Sequence, residues 1–226
     1  MKVMTLANAR MSRGLTQEET ATLLHVSQPF LSQMERGLRP VKEEVAMRAF
    51  EIFGDPTFLP VNANRRENES QLAEELGAMG YAGFAYLAGK PTRNPAELLF
   101  DALERPDLAT RIAEGLPWVS LRYPDLDWDW LLSKMKLSNR QNRLGFVVAL
   151  ALQLVQQLPE HSAVKAKLDL VESELEKARL VSPGTYVHDS WSKRQRELTD
   201  KRRSALAIHW NLTTGVKLEQ LKHYSA

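Results

Sequence analysis

The stretch LTQEETATLLHVSQPFLSQMERG, residues 15–37, decides the fold of the N-terminal part. Thr16 precedes Gln-Glu-Glu, and Glu19 stands three positions beyond it, the capping-box spacing that starts a helix. Ser27 is placed to cap a second helix, Pro29 is tolerated in its first turn, and Gly37 ends it. Two short helices joined by so tight a turn make a helix-turn-helix, whose second helix fits a DNA major groove. Ala21 is small where the helices cross, and Leu24, Val26, Leu31 and Met34 supply an apolar seam. Met11 and Leu15 are expected to close that seam from the preceding segment. Gln28, Pro29, Ser32, Gln33 and Arg36 fall on the outer face of the second helix. A face of amides and a guanidinium suits base edges and phosphates.

Upstream, residues 3–11 read as a helix that breaks at Arg13-Gly14. Downstream, Pro40 precedes another over 42–53, stopped by Gly54-Asp55-Pro56. Residues 55–69 hold two prolines and the polar run NANRRENES, the composition of a linker. Apolar spacing stays helical beyond it. The fold class is all-α: an N-terminal four- to five-helix unit over 1–54, a linker over 55–69, and a larger α-helical region over 70–226. In that region Asn94-Pro95 and Arg105-Pro106 read as helix starts. Leu116-Pro117 and Tyr123-Pro124 are expected to bracket a short connection. Helical patterns follow over 125–137, 138–158 and 161–180, then a turn at Ser182-Pro183-Gly184 and one long basic helix over 187–210.

Residues 6–53 resemble the XRE-type helix-turn-helix family of phage repressors, Cro proteins and their bacterial relatives. Arg10, Gly14, Leu15, Gln17, Ala21, Val26, Ser27, Leu31, Glu35, Arg36 and Gly37 carry the resemblance. It implies that Gln17 touches a phosphate, that Gln28, Pro29 and Gln33 face base edges, and that Arg10 and Glu35 form a partly buried ion pair. Two positions depart from the family: Thr20 replaces a usual Leu in the seam, and His25 replaces the usual turn Gly. The implied function is a sequence-specific repressor that binds a double-stranded DNA operator as a homodimer, two half-sites multiplying the discrimination of one helix.

Composition narrows the rest. Among 226 residues, 30 Lys or Arg face 28 Asp or Glu, so any basic surface is local. Residues 1–54 carry seven Lys or Arg against six Asp or Glu, which limits phosphate contacts to a few placed ones. No Cys is present, so thiolate metal sites, disulfides and cysteine nucleophiles are excluded. The opening MKVMTLANARMSRG lacks the apolar stretch of a secretory signal, and the apolar run over 144–155 is too short to span a bilayer. A cytoplasmic protein with no membrane association is expected. Asp125, Asp127 and Asp129 alternate, but a calcium loop would need Gly and Glu where Trp130 and Lys136 stand. The histidines at 25, 161, 188, 209 and 223 lack metal-ligand spacing, and no catalytic motif is present. No metal, cofactor or enzymatic activity is expected.

Three features remain. Trp118, Trp128 and Trp130 read as core or interface anchors. Val164, Leu168, Val171, Leu175 and Ala178 keep a seam spacing for about two heptads, short of a coiled coil, which favours packing inside the bundle over a dimer zipper. Lys193, Arg194, Arg196, Lys201, Arg202 and Arg203 form a local basic run, by default a solvated face, otherwise a site for phosphates or an acidic partner. LPWVSLRYPDLDWDW and NRQNRLGFVV look like helical regulators that accompany nucleotidyltransferase-type toxins. That resemblance implies an alternative: an autoregulating antitoxin whose helical region binds a toxin protein.

Overall fold

The computed structural model describes residues 4–87, 89–156, 162–221 and 223. The expected helix start at residue 3, the end of the 138–158 pattern, His161 and residues 224–226 lie outside them. Among the described residues there are twelve α-helices and two strands of two residues. None of these helices is long and apolar enough to cross a membrane.

Four helices build the first apolar cluster: α1 (Met4–Ser12), α2 (Gln17–Leu23), α3 (Gln28–Glu35) and α4 (Glu43–Phe53). Leu6, Leu24, Leu31, Met34, Ala49 and Phe50 are buried at its centre. Leu6 is the α1 residue that closes the seam, whereas Met11 is 57% exposed on the opposite side of α1 and takes no part. Gly37 and Gly54 end α3 and α4 with φ of 75° and 73°, the left-handed region that glycine enters at least cost.

The stretch over 55–69 is itself folded. Pro56–Phe58 forms one 3-10 turn, and Phe58 and Leu59 complete the first cluster. The next residues are bound to α6 (Pro95–Glu104) by an ion network. Arg93 is fully buried and reaches Glu97 at 2.8 Å, Asp101 at 2.9 Å and Glu67 at 3.3 Å, and donates to the Arg65 carbonyl at 2.9 Å. The Asn62 amide donates to Glu97 at 2.9 Å. A buried guanidinium is tolerated only when its charge and donors are satisfied like this. Asn94 caps α6 through the Ala96 amide and donates to the Thr57 and Leu59 carbonyls at 3.0 and 2.6 Å. One end of α6 therefore grips the last turn of the first unit.

The second apolar cluster surrounds α9 (Gln141–Val155), whose residues are buried throughout except Gln153 and flanked by α7 (Thr110–Arg122) and α10 (Ser162–Lys177). Leu168, Val171 and Leu175 bury the α10 seam against α9. The remaining helices are α5 (Glu69–Ala78), α8 (Trp128–Leu137), α11 (Lys193–Asp200) and α12 (Ala205–His209). Asn139 takes φ of 55° and separates α8 from α9.

Three local expectations are corrected. Pro117 sits inside α7 rather than in a connection. It leaves the Ala113 carbonyl without its helical donor, and the buried Tyr186 hydroxyl donates to that carbonyl at 3.1 Å. Arg105-Pro106 does not open a helix. Residues 106–108 run extended beside 187–189, with Asp189 donating to the Pro106 carbonyl at 2.8 Å and Leu108 to Val187 at 3.1 Å. The single basic helix over 187–210 is broken in two. Ser192 and Ser204 each cap a new helix start, and strand β1 (Gly184–Thr185) pairs in parallel with β2 (Leu212–Thr213) across the break.

The run NRQNRLGF, for which residue types alone suggest no mechanism, anchors this C-terminal segment. Asn142 donates to the Leu180 and Trp210 carbonyls at 2.9 Å each and accepts from the Leu180 amide at 2.8 Å. Arg143 donates to the Thr185 and Leu103 carbonyls at 3.0 Å and pairs with Asp189 at 2.7 Å. Gly145 lets the fully buried Trp210 ring lie on α9: a Cβ there would come within 2.2–2.5 Å of three ring carbons.

Candidate nucleic-acid interface

The interface is built on α2, a turn and α3. Thr16 is the N-cap of α2: its hydroxyl accepts from the Glu19 amide at 3.2 Å, and Glu19 accepts from the Thr16 amide at 2.8 Å. The Thr16 amide and the Thr16 hydroxyl, each donating to the Glu19 carboxylate at 2.8 Å, hold that carboxyl below its ordinary value. At the other end Arg48 donates to the Leu24 carbonyl at 3.0 Å, satisfying an acceptor that the helix leaves open. The turn passes through His25 at φ of 53°, a left-handed conformation in which a non-glycine side chain is strained. The Val26 amide returns to the Ala21 carbonyl at 2.9 Å. Thr20 is fully buried in the seam, and its hydroxyl has no hydrogen-bond partner among the described residues.

Ser27 occupies the N-cap of α3 with extended backbone, but its hydroxyl makes no capping bond and the residue is exposed. Its outward hydroxyl is therefore available to a ligand rather than spent on the helix. Pro29 lies in the first turn and is exposed. Ser32 and Gln33 are partly buried, and Arg36 is exposed with its Nε donating to the Ser32 carbonyl at 3.3 Å. On a helix, positions 28, 32 and 36 form one row and 29 and 33 the row beside it, so the five polar or ring-bearing residues share one side. Leu31 and Met34 point the other way, into the core.

Beneath that side runs a chain of four polar residues from three helices. Arg10 of α1 meets Glu35 of α3 through Nε at 2.7 Å and Nη2 at 3.2 Å, and its Nη1 donates to the Leu15 carbonyl at 2.9 Å. The pair is largely buried, with side chains 15% and 5% exposed. Glu35 also accepts from the Gln17 amide at 2.8 Å, and Gln17 accepts in turn from the Gln28 amide at 2.8 Å. The only donor–acceptor direction compatible with Glu35 as a carboxylate puts the Gln17 oxygen toward Gln28. Gln17 thus spends both ends of its amide on the protein, and the exposed Gln28 keeps its amide oxygen without a protein partner among the described residues. This coupling between α2 and α3 depends on a turn that residue types alone do not position.

Arg39, which the residue-by-residue reading did not single out, stacks its guanidinium 5.3 Å from the Phe30 ring just past α3. The signal was its place two residues after Gly37, where the chain turns back beside α3. Of the acidic triplet, Asp127 caps α8 through the Trp130 amide at 3.1 Å, and Asp125 pairs with Lys167 at 2.6 Å. Trp118 and Trp128 are core residues.

Comparison with known proteins gives one result. Residues 6–59 match the family model for helix-turn-helix domains. No curated protein and no solved structure matches the chain. The N-terminal domain is an XRE-type helix-turn-helix, which supports a DNA-binding role in transcription regulation.

Proposed function

We propose that this regulator is a sequence-specific repressor that reads the major groove of a double-stranded operator with α3, as a homodimer. The observation that carries the reading is the outer side of α3, where Gln28 is exposed and Ser32 and Gln33 partly exposed, opposite the buried Leu31 and Met34. In this reading Gln28 and Gln33 meet base edges, and Ser27, Pro29 and Ser32 fit against the groove wall. Arg36 binds phosphate, and Gln17 orients Gln28 while its main-chain amide, at the positive end of α2, meets phosphate. A single α3 reads too few base pairs to pick one site in a genome, which is the physical reason for two copies. Selection of bound DNA from a random pool at two salt concentrations tests it. A two-half-site consensus that survives the higher salt supports it, and an unselected pool overturns it.

A second reading is favoured by the size and rigidity of the C-terminal region. Residues 178–216 are clamped onto α9 by Asn142, Arg143 and Gly145, more structure than joining two DNA-binding domains requires. In this reading the chain is an autoregulating antitoxin that neutralises a toxin through that region. Co-purification with a toxin encoded beside it, and relief of that toxin's growth arrest, is the expected result. Failure of both removes the reading.

A further inference from the structure

Helix α11 (Lys193–Asp200) is well formed yet buries none of its residues. Ser192 and Gln195 close a capping box at its start. Its inner side is held by polar tethers alone: Arg196 donates to the Asp189 and Trp191 carbonyls at 2.5 and 3.0 Å, and Asp200 accepts from the Thr213 hydroxyl at 2.6 Å. The core therefore does not account for this helix. Its outer side carries Arg194, Leu198 and Lys201, spaced by four and three and hence in one row, with Arg202 adjoining. Leu198 is 55% exposed. Among the described residues these three cations have no ion-pair or side-chain hydrogen-bond partner.

We propose that the outer side of α11 docks an acidic, partly apolar segment of a partner protein, with Leu198 seated among apolar groups and Arg194, Lys201 and Arg202 meeting carboxylates. Charge complementarity requires an anionic occupant, and the exposed Leu198, which gains nothing against a phosphate backbone, favours protein over nucleic acid. The proposal narrows the partner-binding reading to one helix and rests on it in taking the partner to be a protein.

The test uses the full chain and a fluorescent synthetic helical peptide bearing one leucine row flanked by glutamates. Saturable binding is expected. Reversal of charge in an R194E/K201E/R202E variant and Leu198→Ser are each expected to weaken it about tenfold or more, with the thermal unfolding curve unchanged. Absence of binding overturns the proposal. So does equal competition by polyglutamate or random duplex DNA, which would show a plain polyelectrolyte surface. Loss of self-association in the charge-reversed variant would identify the occupant as a second copy and overturn it as well. Because the probe is a peptide, a negative result removes the α11 surface while leaving the toxin co-purification experiment to decide the partner reading.

Discussion

The bond from Gln28 to Gln17 makes a quantitative prediction about DNA recognition. If Gln28 reads a base edge, Gln17 serves it by holding the amide in one orientation, through a 2.8 Å bond backed by the 2.8 Å bond from Gln17 to Glu35. Gln28→Ala removes the base contact and is expected to cost about 1–3 kcal/mol of operator affinity. Gln17→Ala leaves the contact possible but frees a side chain that must then be ordered on binding, a cost of about 0.5–1.5 kcal/mol. Once Gln28 is gone, Gln17 has nothing to orient, so the second substitution should add little. The double-mutant cycle is therefore expected to show about 0.5–1.5 kcal/mol of coupling, measured by fluorescence anisotropy on the selected operator at fixed salt. Additivity within about 0.3 kcal/mol would refute the orienting role. Stability serves as an internal control. Gln17→Ala also loses a charge-assisted bond to Glu35, so it should lower unfolding free energy by about 1.5–3 kcal/mol, whereas Gln28→Ala should change it by less than about 1.

Three further outcomes concern the scaffold. Thr20→Val removes a buried hydroxyl that has no partner among the described residues, and should raise the urea midpoint by the equivalent of about 1 kcal/mol; a lowered midpoint would show that the hydroxyl is bonded. Gly145→Ala gains helix propensity of about 1 kcal/mol, but its methyl would lie 2.2–2.5 Å from three Trp210 ring carbons, so a net loss of about 1–3 kcal/mol is expected; an unchanged or higher Tm would contradict that packing. Burial alone would raise the Asp189 carboxyl, but the Thr185 hydroxyl and the guanidiniums of Arg143 and Arg140 outweigh it and hold the group below its ordinary 3.8. A carboxyl depressed in the folded state contributes above its unfolded value and is lost as pH falls through the folded one. Protection of the Tyr186 amide from hydrogen exchange should therefore hold from neutrality down through the ordinary carboxylate range and be lost only below it, and loss already near pH 6 would sink the assignment.

Much of the helix-turn-helix was legible because its signals are local. Thr16 and Glu19 cap one helix within four residues, and Gly37 and Gly54 mark turns that only a left-handed residue completes cheaply. The misreadings share one cause, a partner distant in the chain. Pro117 looked like a break because the donor that rescues the Ala113 carbonyl is Tyr186, 73 residues on. Arg105-Pro106 looked like a helix start because its pairing with residues 187–189 has no local trace. Met11 and Leu6 both fit the seam by type, and only the packing of α1 shows that Leu6 faces inward. The same limit applied at the site: residue types and helical spacing placed Gln28 and Gln33 on the outer face of α3, and the family resemblance implied the Arg10–Glu35 pair, but neither gave its continuation through Gln17 to Gln28. The run NRQNRLGF was the least legible, since Arg140, Gln141, Asn142 and Arg143 each serve a carbonyl or carboxylate at least 37 positions away.

The central claim is that α3 reads bases through its outward amides. Its most direct test is to repeat the random-pool selection with Gln33→Ala and compare base preferences position by position with those of the unaltered chain. The account predicts that preference collapses at one position in each half-site, with affinity for the best site reduced by about 1–3 kcal/mol and the other positions intact. Uniform weakening across every position, or an unchanged profile, would contradict it.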